Sequence, residues 1–372
     1  MRVRVHAVGM ASCLGAATPA CAAFRANLFQ PSQSPDAEVA EPGDETPQAV
    51  TVCSAPVSTF GFSGVGRLVA LTCEALKDLW SRVDLATLAS NTGFFFALPD
   101  PRERGLELGD LDESLQDRLD ELGTRILKQS LRNLGLTWKG PLRFFGGGHI
   151  AFAQALHAAQ AELMRRSMKS CVVMGLDCLV EEGTLQSLAS EERLKSPARP
   201  TGLVPGEAGA ALLLTTEPSS NESRSKPTVE LRAIRTGSEP FPRGADKPSD
   251  GRALAECART ALAADGPLQG TPLLVSDHNG EEWRAREWGM ALIQLRTLGL
   301  TFEAPPTWYP AIGFGEVGAA SGAVGACLAI RGLERGYAPA TSCLVMSCAD
   351  DAGRAAFLLS AAPHPLHRGA KS

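Results

Sequence analysis

Three consecutive glycines, Gly146 to Gly148, separate a short apolar run from a long alanine-rich one, and they restrict what this chain can fold into. The residues from Leu142 read as a short apolar strand, and those from about His149 carry the spacing of a helix. Glycine lets the backbone turn tightly and come close to whatever sits above the helix N-terminus, where unpaired amides and the helix dipole favour negative charge. A strand, turn and helix of this kind display the residue at the tip, which is His149.

The rest of the chain alternates in the same way. Val3 to Val8 reads as a strand, Gly9 to Gly15 as a turn-rich loop, and Thr18 to Leu28 as a helix with Thr18 as N-cap and Pro19 at its first position. Gln30 to Pro56 is rich in Pro, Ser, Asp and Glu and reads as a long surface loop or a partly ordered insertion. Helical spacing returns over Leu68 to Trp80 and Leu115 to Leu134, with a phenylalanine-rich buried strand at Asn91 to Leu98 between them. A polar segment, Thr216 to Thr228, divides the chain in two. On each side of it two segments recur in the same order. Ser170-Cys171-Val172-Val173-Met174 matches Ser342-Cys343-Leu344-Val345-Met346, and Glu207 to Leu214 matches Asp351 to Leu358. This is the pattern of a duplicated unit. The expectation is an α/β fold of two similar halves, residues 1–218 with the insertion at 30–56 and residues 226–372, built on mainly parallel mixed sheets covered by helices.

Composition narrows the function. With 44% hydrophobic residues over 372 positions, the chain can bury a large core. Its 36 basic and 41 acidic residues are spread along the chain, which leaves no stripe for neutralising nucleic-acid phosphates. No run of about 18 apolar residues is present, so membrane insertion and ordinary secretion are disfavoured. The ten cysteines include no C-x-x-C pair, and most sit among Ala, Val and Leu as small apolar filler. Neither a zinc site nor a disulfide framework is expected, no cofactor is called for, and the compartment expected is the cytoplasm. The spacing of His149, His157, His278 and Glu316 matches no compact metal motif.

These residues together resemble the β-ketoacyl synthases of the thiolase-like superfamily over nearly the whole chain. The opening Val8-Gly9-Met10 with Leu14-Gly15, the Gly140-Pro141 pair nine residues ahead of His149, and the run Ala155 to Gln160 resemble that family's first strand and nucleophile helix. Arg199-Pro200 followed by Gly202 to Gly209, and Gly315 to Ala323, resemble its two glycine-rich motifs. The resemblance implies a thiolase-like layered fold and a site made of a cysteine and two histidines. Here that site is altered. Counting forward from Gly140 and back from His157 both place His149 where the cysteine would stand. Leu273 to Gly280 is similar to the strand leading to the first histidine, which makes His278 its candidate counterpart, as a pocket residue or as a loop histidine paired with Asp277 or Glu281. Glu316 takes the second histidine's place, Ala311 that of a lysine, and Ser347 to Asp351 that of a glycine-phenylalanine loop. Cys348, in that last segment, is a candidate pocket thiol.

Losing the nucleophile of a cooperating set removes nearly all of its chemistry. The expectation is therefore a pseudoenzyme: a scaffold, partner subunit or adaptor, as a homodimer or a heterodimer with a related chain. It would act in a polyketide or fatty-acid system, with an acyl chain or acyl carrier protein as ligand, or in a secretion or effector-loading assembly. The alternative is an active acyltransferase or 3-oxoacyl-[acyl-carrier-protein] synthase using altered residues.

Overall fold

The computed structural model describes residues 2–29, 31–40, 46–83, 92–106, 114–216, 227–264, 270–300 and 304–362. The strands are β1 (Val3–Ser12), β2 (Ser32–Val39), β3 (Gln48–Val52), β4 (Thr92–Ala97), β5 (Leu142–Phe145), β6 (Ser170–Cys178), β7 (Glu207–Thr215), β8 (Val229–Ser238), β9 (Leu273–Ser276), β10 (Thr307–Trp308), β11 (Ser342–Cys348) and β12 (Gly353–Ala361). The helices are α1 (Ala17–Arg25), α2 (Pro56–Thr59), α3 (Gly64–Trp80), α4 (Leu115–Asn133), α5 (Ala151–Met164), α6 (Glu182–Ser190), α7 (Arg252–Ala263), α8 (Glu282–Thr297), α9 (Ala311–Phe314) and α10 (Ser321–Arg335).

Ten strands form one mixed sheet in the order β10-β9-β11-β12-β8-β1-β7-β6-β4-β5. Outward from its middle the order is β1-β7-β6-β4-β5 on one side and β8-β12-β11-β9-β10 on the other, the same arrangement in each half of the chain. The recurring sequence segments fall on β6 and β11 and on β7 and β12, which occupy equivalent places. Pairing is parallel in β5-β4-β6 and β10-β9-β11 and antiparallel elsewhere. The halves join through β1 and β8 over three residue pairs, Val3 with Leu231, Arg4 with Glu230 and Val5 with Val229.

Strand alternation sorts the core into layers. Val173 and Leu212 turn inward with Val345 and Leu359 of the other half, and all four pack in one core with Phe152 and Leu156 of α5 and Val324 and Ile330 of α10. Their neighbours Val172 and Leu213 face the opposite way, onto α3 and α4. Leu344 and Leu358 face α7 and α8. Helices α5 and α10 are thus the buried middle layer shared by both halves. Every residue of β4 and β6 is buried, as strands covered on both faces require.

Three local expectations are corrected. First, β1 runs on through Gly9 to Ser12 where a loop was expected. A Cβ at Gly9 would lie 2.3 Å from the Ala75 carbonyl oxygen, so this glycine serves close packing against α3 and not a turn. Second, α1 begins at Ala17, and Thr18 does not cap it. Asp78 of α3 supplies the acceptor instead, taking the amides of Ala17 at 2.9 Å and Met10 at 3.0 Å through Oδ2. Third, the 30–56 segment holds an antiparallel pair, β2 with β3, whose Ala37, Val39, Val50 and Val52 are buried in the outer core. Alternating small apolar residues among polar ones produced this strand pair without raising the mean hydropathy. Residues 30 and 41–45 of that segment, and 217–226 of the polar divide, lie outside the described residues. No helix among the described residues is long and apolar enough to cross a membrane.

Candidate functional site

The glycine turn leads into a helix as the sequence implies, but the residue at its tip is buried instead of displayed. Gly147 and Gly148 adopt left-handed φ values of 101° and 56°, a short 3-10 turn follows over Gly148–Ile150, and α5 starts at Ala151. His149 therefore sits just ahead of α5 and is buried. In the other half a second 3-10 turn, Gly318–Ala320, precedes α10, with Glu316 just before it. Two helix N-termini converge on one place, and the side chains they deliver touch. Nε2 of His149 is 2.7 Å from Oε1 of Glu316.

Glu316 is saturated. Its Oε1 also accepts the amide of Gly318 at 2.7 Å, and its Oε2 accepts Nδ2 of Asn279 at 2.6 Å. Burial alone would raise this carboxyl, but the His149 contact, the Arg284 charge and the Asn279 hydrogen bond outweigh it and hold the group well below the ordinary carboxylate range. Its loop is set by Asp177 of β6, which accepts the amide of Ala319 at 2.9 Å and a two-point contact from Arg104 at 2.8 and 2.9 Å.

The other side of the His149 ring meets Arg284 of α8, whose Nη2 is 2.8 Å from Nδ1. A guanidinium only donates, so Nδ1 is the acceptor and Nε2 carries the proton given to Glu316. Burial and Arg284 oppose a charge on the ring, and the Glu316 carboxylate prevails over both, lifting the imidazole above its ordinary value. A second proton, at Nδ1, would require the Arg284 N–H to turn away. Arg284 also donates to Asp277 at 3.1 Å, to Asp350 at 2.8 Å and to the Cys348 carbonyl. Arg193 joins the lattice through Glu281, at 2.7 and 3.0 Å, and Asp350, at 2.8 Å. The cavity beside Glu316, bordered by Asp277, Val317, Ser321 and Ser347, has a volume of about 10 Å³, room for one water.

The structure brings His149 and Glu316 together but leaves His278 outside their contact. No hydrogen bond joins His278 to either of them among the described residues, nor to Asp277 or Glu281, although both of these carboxylates lie close enough to act on its ring electrostatically. Its ring stands edge-on to Tyr309 with centroids 5.8 Å apart, and burial pushes its imidazole down. Asp277 is taken by Arg284 and the Cys348 amide, and Glu281 by Arg193 and Asn279. Asn279, one residue on, is the side chain that reaches Glu316. The Cys348 thiol points at Glu287, 3.7 Å away, and burial together with Asp277 and Glu287 drives it well above the ordinary thiol range. No group of three His, Cys, Asp or Glu among the described residues could hold a metal ion.

By sequence the chain matches no protein-family model and no curated protein. Its architecture is another matter. A type II polyketide ketosynthase bound to its hexaketide, in complex with its acyl-carrier protein, superposes with a TM-score of 0.75 at 14% identity, covering 97% of this chain and 99% of that one. The fold is that of the ketosynthases. A Xenorhabdus doucetiae ketosynthase in complex with its chain length factor gives 0.69 at 16% identity, over 97% and 98% of the two chains. The oxazolomycin ketosynthase domain of Streptomyces albus gives 0.72 at 14%, over 98% of this chain and 75% of that one. On this ketosynthase fold, the convergent helix ends present an imidazole and a carboxylate locked by arginines.

Proposed function

We propose that this ketosynthase-fold chain is catalytically degenerate and works by binding, as a scaffold, partner subunit or adaptor paired with a copy of itself or a related chain. The observation that carries this reading is the state of His149. Nδ1 is engaged by Arg284 and Nε2 by Glu316. An acyl acceptor needs a free lone pair, and this residue has none. Glu316 would moreover repel the oxyanion that an acyl transfer generates.

The partner we assign is a ketosynthase-type subunit or an acyl carrier protein, because proteins of this fold are found complexed with a chain length factor and with an acyl-carrier protein. A secretion or effector-loading assembly is the other setting for such a scaffold. Ten unbridged cysteines suit a reducing cytoplasm.

The test is incubation of the full chain with a radiolabelled acyl thioester, read by intact mass, alongside purification from the native host. The expected result is no covalent label, no condensation product, and a stoichiometric protein partner. Stable acylation, lost in His149→Ala or Cys348→Ala, would replace this reading with that of an altered acyltransferase or synthase.

A further inference from the structure

The second half of α5 has one face that the core does not take. Leu156, Ala159 and Leu163 pack inward. His157, Gln160, Ala161 and Met164, spaced three and four residues apart, open instead onto a cavity of about 320 Å³. Its other wall is the seam between the halves, where Val3 of β1 pairs with Leu231 of β8, and Arg2 and Arg232 complete the lining. Leu231 and Arg232 are consecutive, so strict strand alternation would send them to opposite faces. The β8–β12 register shifts between Leu231 and Ala233, and this bulge brings both side chains to the cavity.

Charge at this place is positive. Glu230 is buried, and its Oε2 accepts Nη1 of Arg2 at 3.2 Å and Nη1 of Arg232 at 2.6 Å. One carboxylate thus holds two guanidiniums at the cavity and neutralises only one of them, and none of the described lining residues is acidic. Beside them Met164 is 47% exposed, an apolar side chain left without cover.

We propose that this cavity is a binding site for a small organic anion, a carboxylate or phosphate carried on an apolar body. A guanidinium presents its N–H groups in a planar fork that matches either anion. The volume falls within the range of small-molecule sites, about 300–1,000 Å³. Val3, Leu231 and Met164 cover the apolar body, and Arg2 and Arg232 take the charge. The site flanks the end of α5 remote from His149, and its ligand touches both halves where three residue pairs join them. Binding therefore favours the folded state. This inference does not depend on the proposed function.

The experiment titrates the full-length protein, isotope-labelled at its methionine methyl groups, with naphthyl phosphate and with naphthoate. The Met164 methyl resonance, assigned through Met164→Leu, is the readout. At least one anion should shift it saturably with a Kd below about 1 mM and raise the Tm, and the tighter of the two identifies the headgroup. Naphthol, which lacks the charge at neutral pH, and inorganic phosphate, which lacks the apolar body, should bind at least about tenfold more weakly. Arg2→Gln should weaken binding about tenfold, the share of a hydrogen bond to a charged group. Ala161→Phe, which fills the cavity and leaves both arginines in place, should abolish the shift. No saturable shift with either anion would overturn the proposal. So would inorganic phosphate binding as tightly as naphthyl phosphate, or binding that both variants leave unchanged. Ala161→Phe and the wild-type titrations decide the matter should Arg2→Gln fail to fold.

Discussion

Nη2 of Arg284 lies 2.8 Å from Nδ1 of His149, and the same nitrogen is 2.8 Å from Oδ1 of Asp350. One guanidinium therefore occupies the imidazole's basic lone pair and neutralises carboxylates on two further loops. A lysine ammonium is a compact charge without the planar fork, and it cannot face these acceptors together. Arg284→Lys should lower stability by about 3 kcal/mol, within the range for breaking a buried ion pair. Urea denaturation at neutral pH measures it, and a loss under about 1 kcal/mol would mean the lattice is not what holds this region.

Glu316 should give the site its acid sensitivity. Its folded-state affinity for a proton lies below that of an unfolded glutamate, near 4.3. The stabilisation is therefore complete above that pH and is lost as pH falls through the folded value. Glu316→Ala should cost about 3–5 kcal/mol at pH 7. The gap between wild type and variant should narrow steadily below about pH 4 in denaturation series run at successive pH values.

Alkylation should spare Cys348. Its thiol is buried against Glu287 and held well above the ordinary thiol range, so the thiolate is scarce at neutral pH. Native protein treated with iodoacetamide at pH 7.5 should leave Cys348 unmodified until denaturant is added, as followed by peptide mass mapping. Prompt native labelling would put a reactive sulfur back in the site.

A cysteine placed at position 149 should not by itself give acyl-transfer chemistry. In His149→Cys the new thiol would face the Glu316 carboxylate, which opposes both thiolate and oxyanion. The single variant should stay unlabelled by an acyl thioester. Adding Glu316→His should raise labelling at least about tenfold, since an imidazole can assist the transfer. Equal labelling of the two would show that Glu316 is not the block.

Gly318 should tolerate no side chain. A Cβ there would stand 2.0 Å from Oδ2 of Asp177, and its φ of 46° already disfavours other residues. Gly318→Ala should destabilise by about 1–3 kcal/mol and move Glu316 from His149, which calorimetry and the His149 ring resonances would register.

What the sequence revealed depended on whether the cause was local. The strand, glycine turn and helix around His149 are written in contiguous residues, and the ordered motifs put Glu316 opposite it. Single-residue resolution was harder: His278 was the candidate, and its neighbour Asn279 is the side chain that reaches Glu316. Arg284 lies in a helix full of charges and resembles a solvated surface residue, yet it is only 2% exposed. Its partners at 149 and 350, like Arg193 with Glu281, are pairings at long sequence separation that no periodicity encodes. The β2–β3 pair escaped because its buried positions are mainly Ala and Val set among polar residues.

The narrow β1–β8 seam gives the arginine lattice a mechanical meaning. His149 and Arg193 belong to the chain before residue 217, while Glu281, Arg284, Glu316 and Asp350 come after it. The arginine contacts are thus a second fastening between the two sides of the molecule, beside the core that α5 and α10 share.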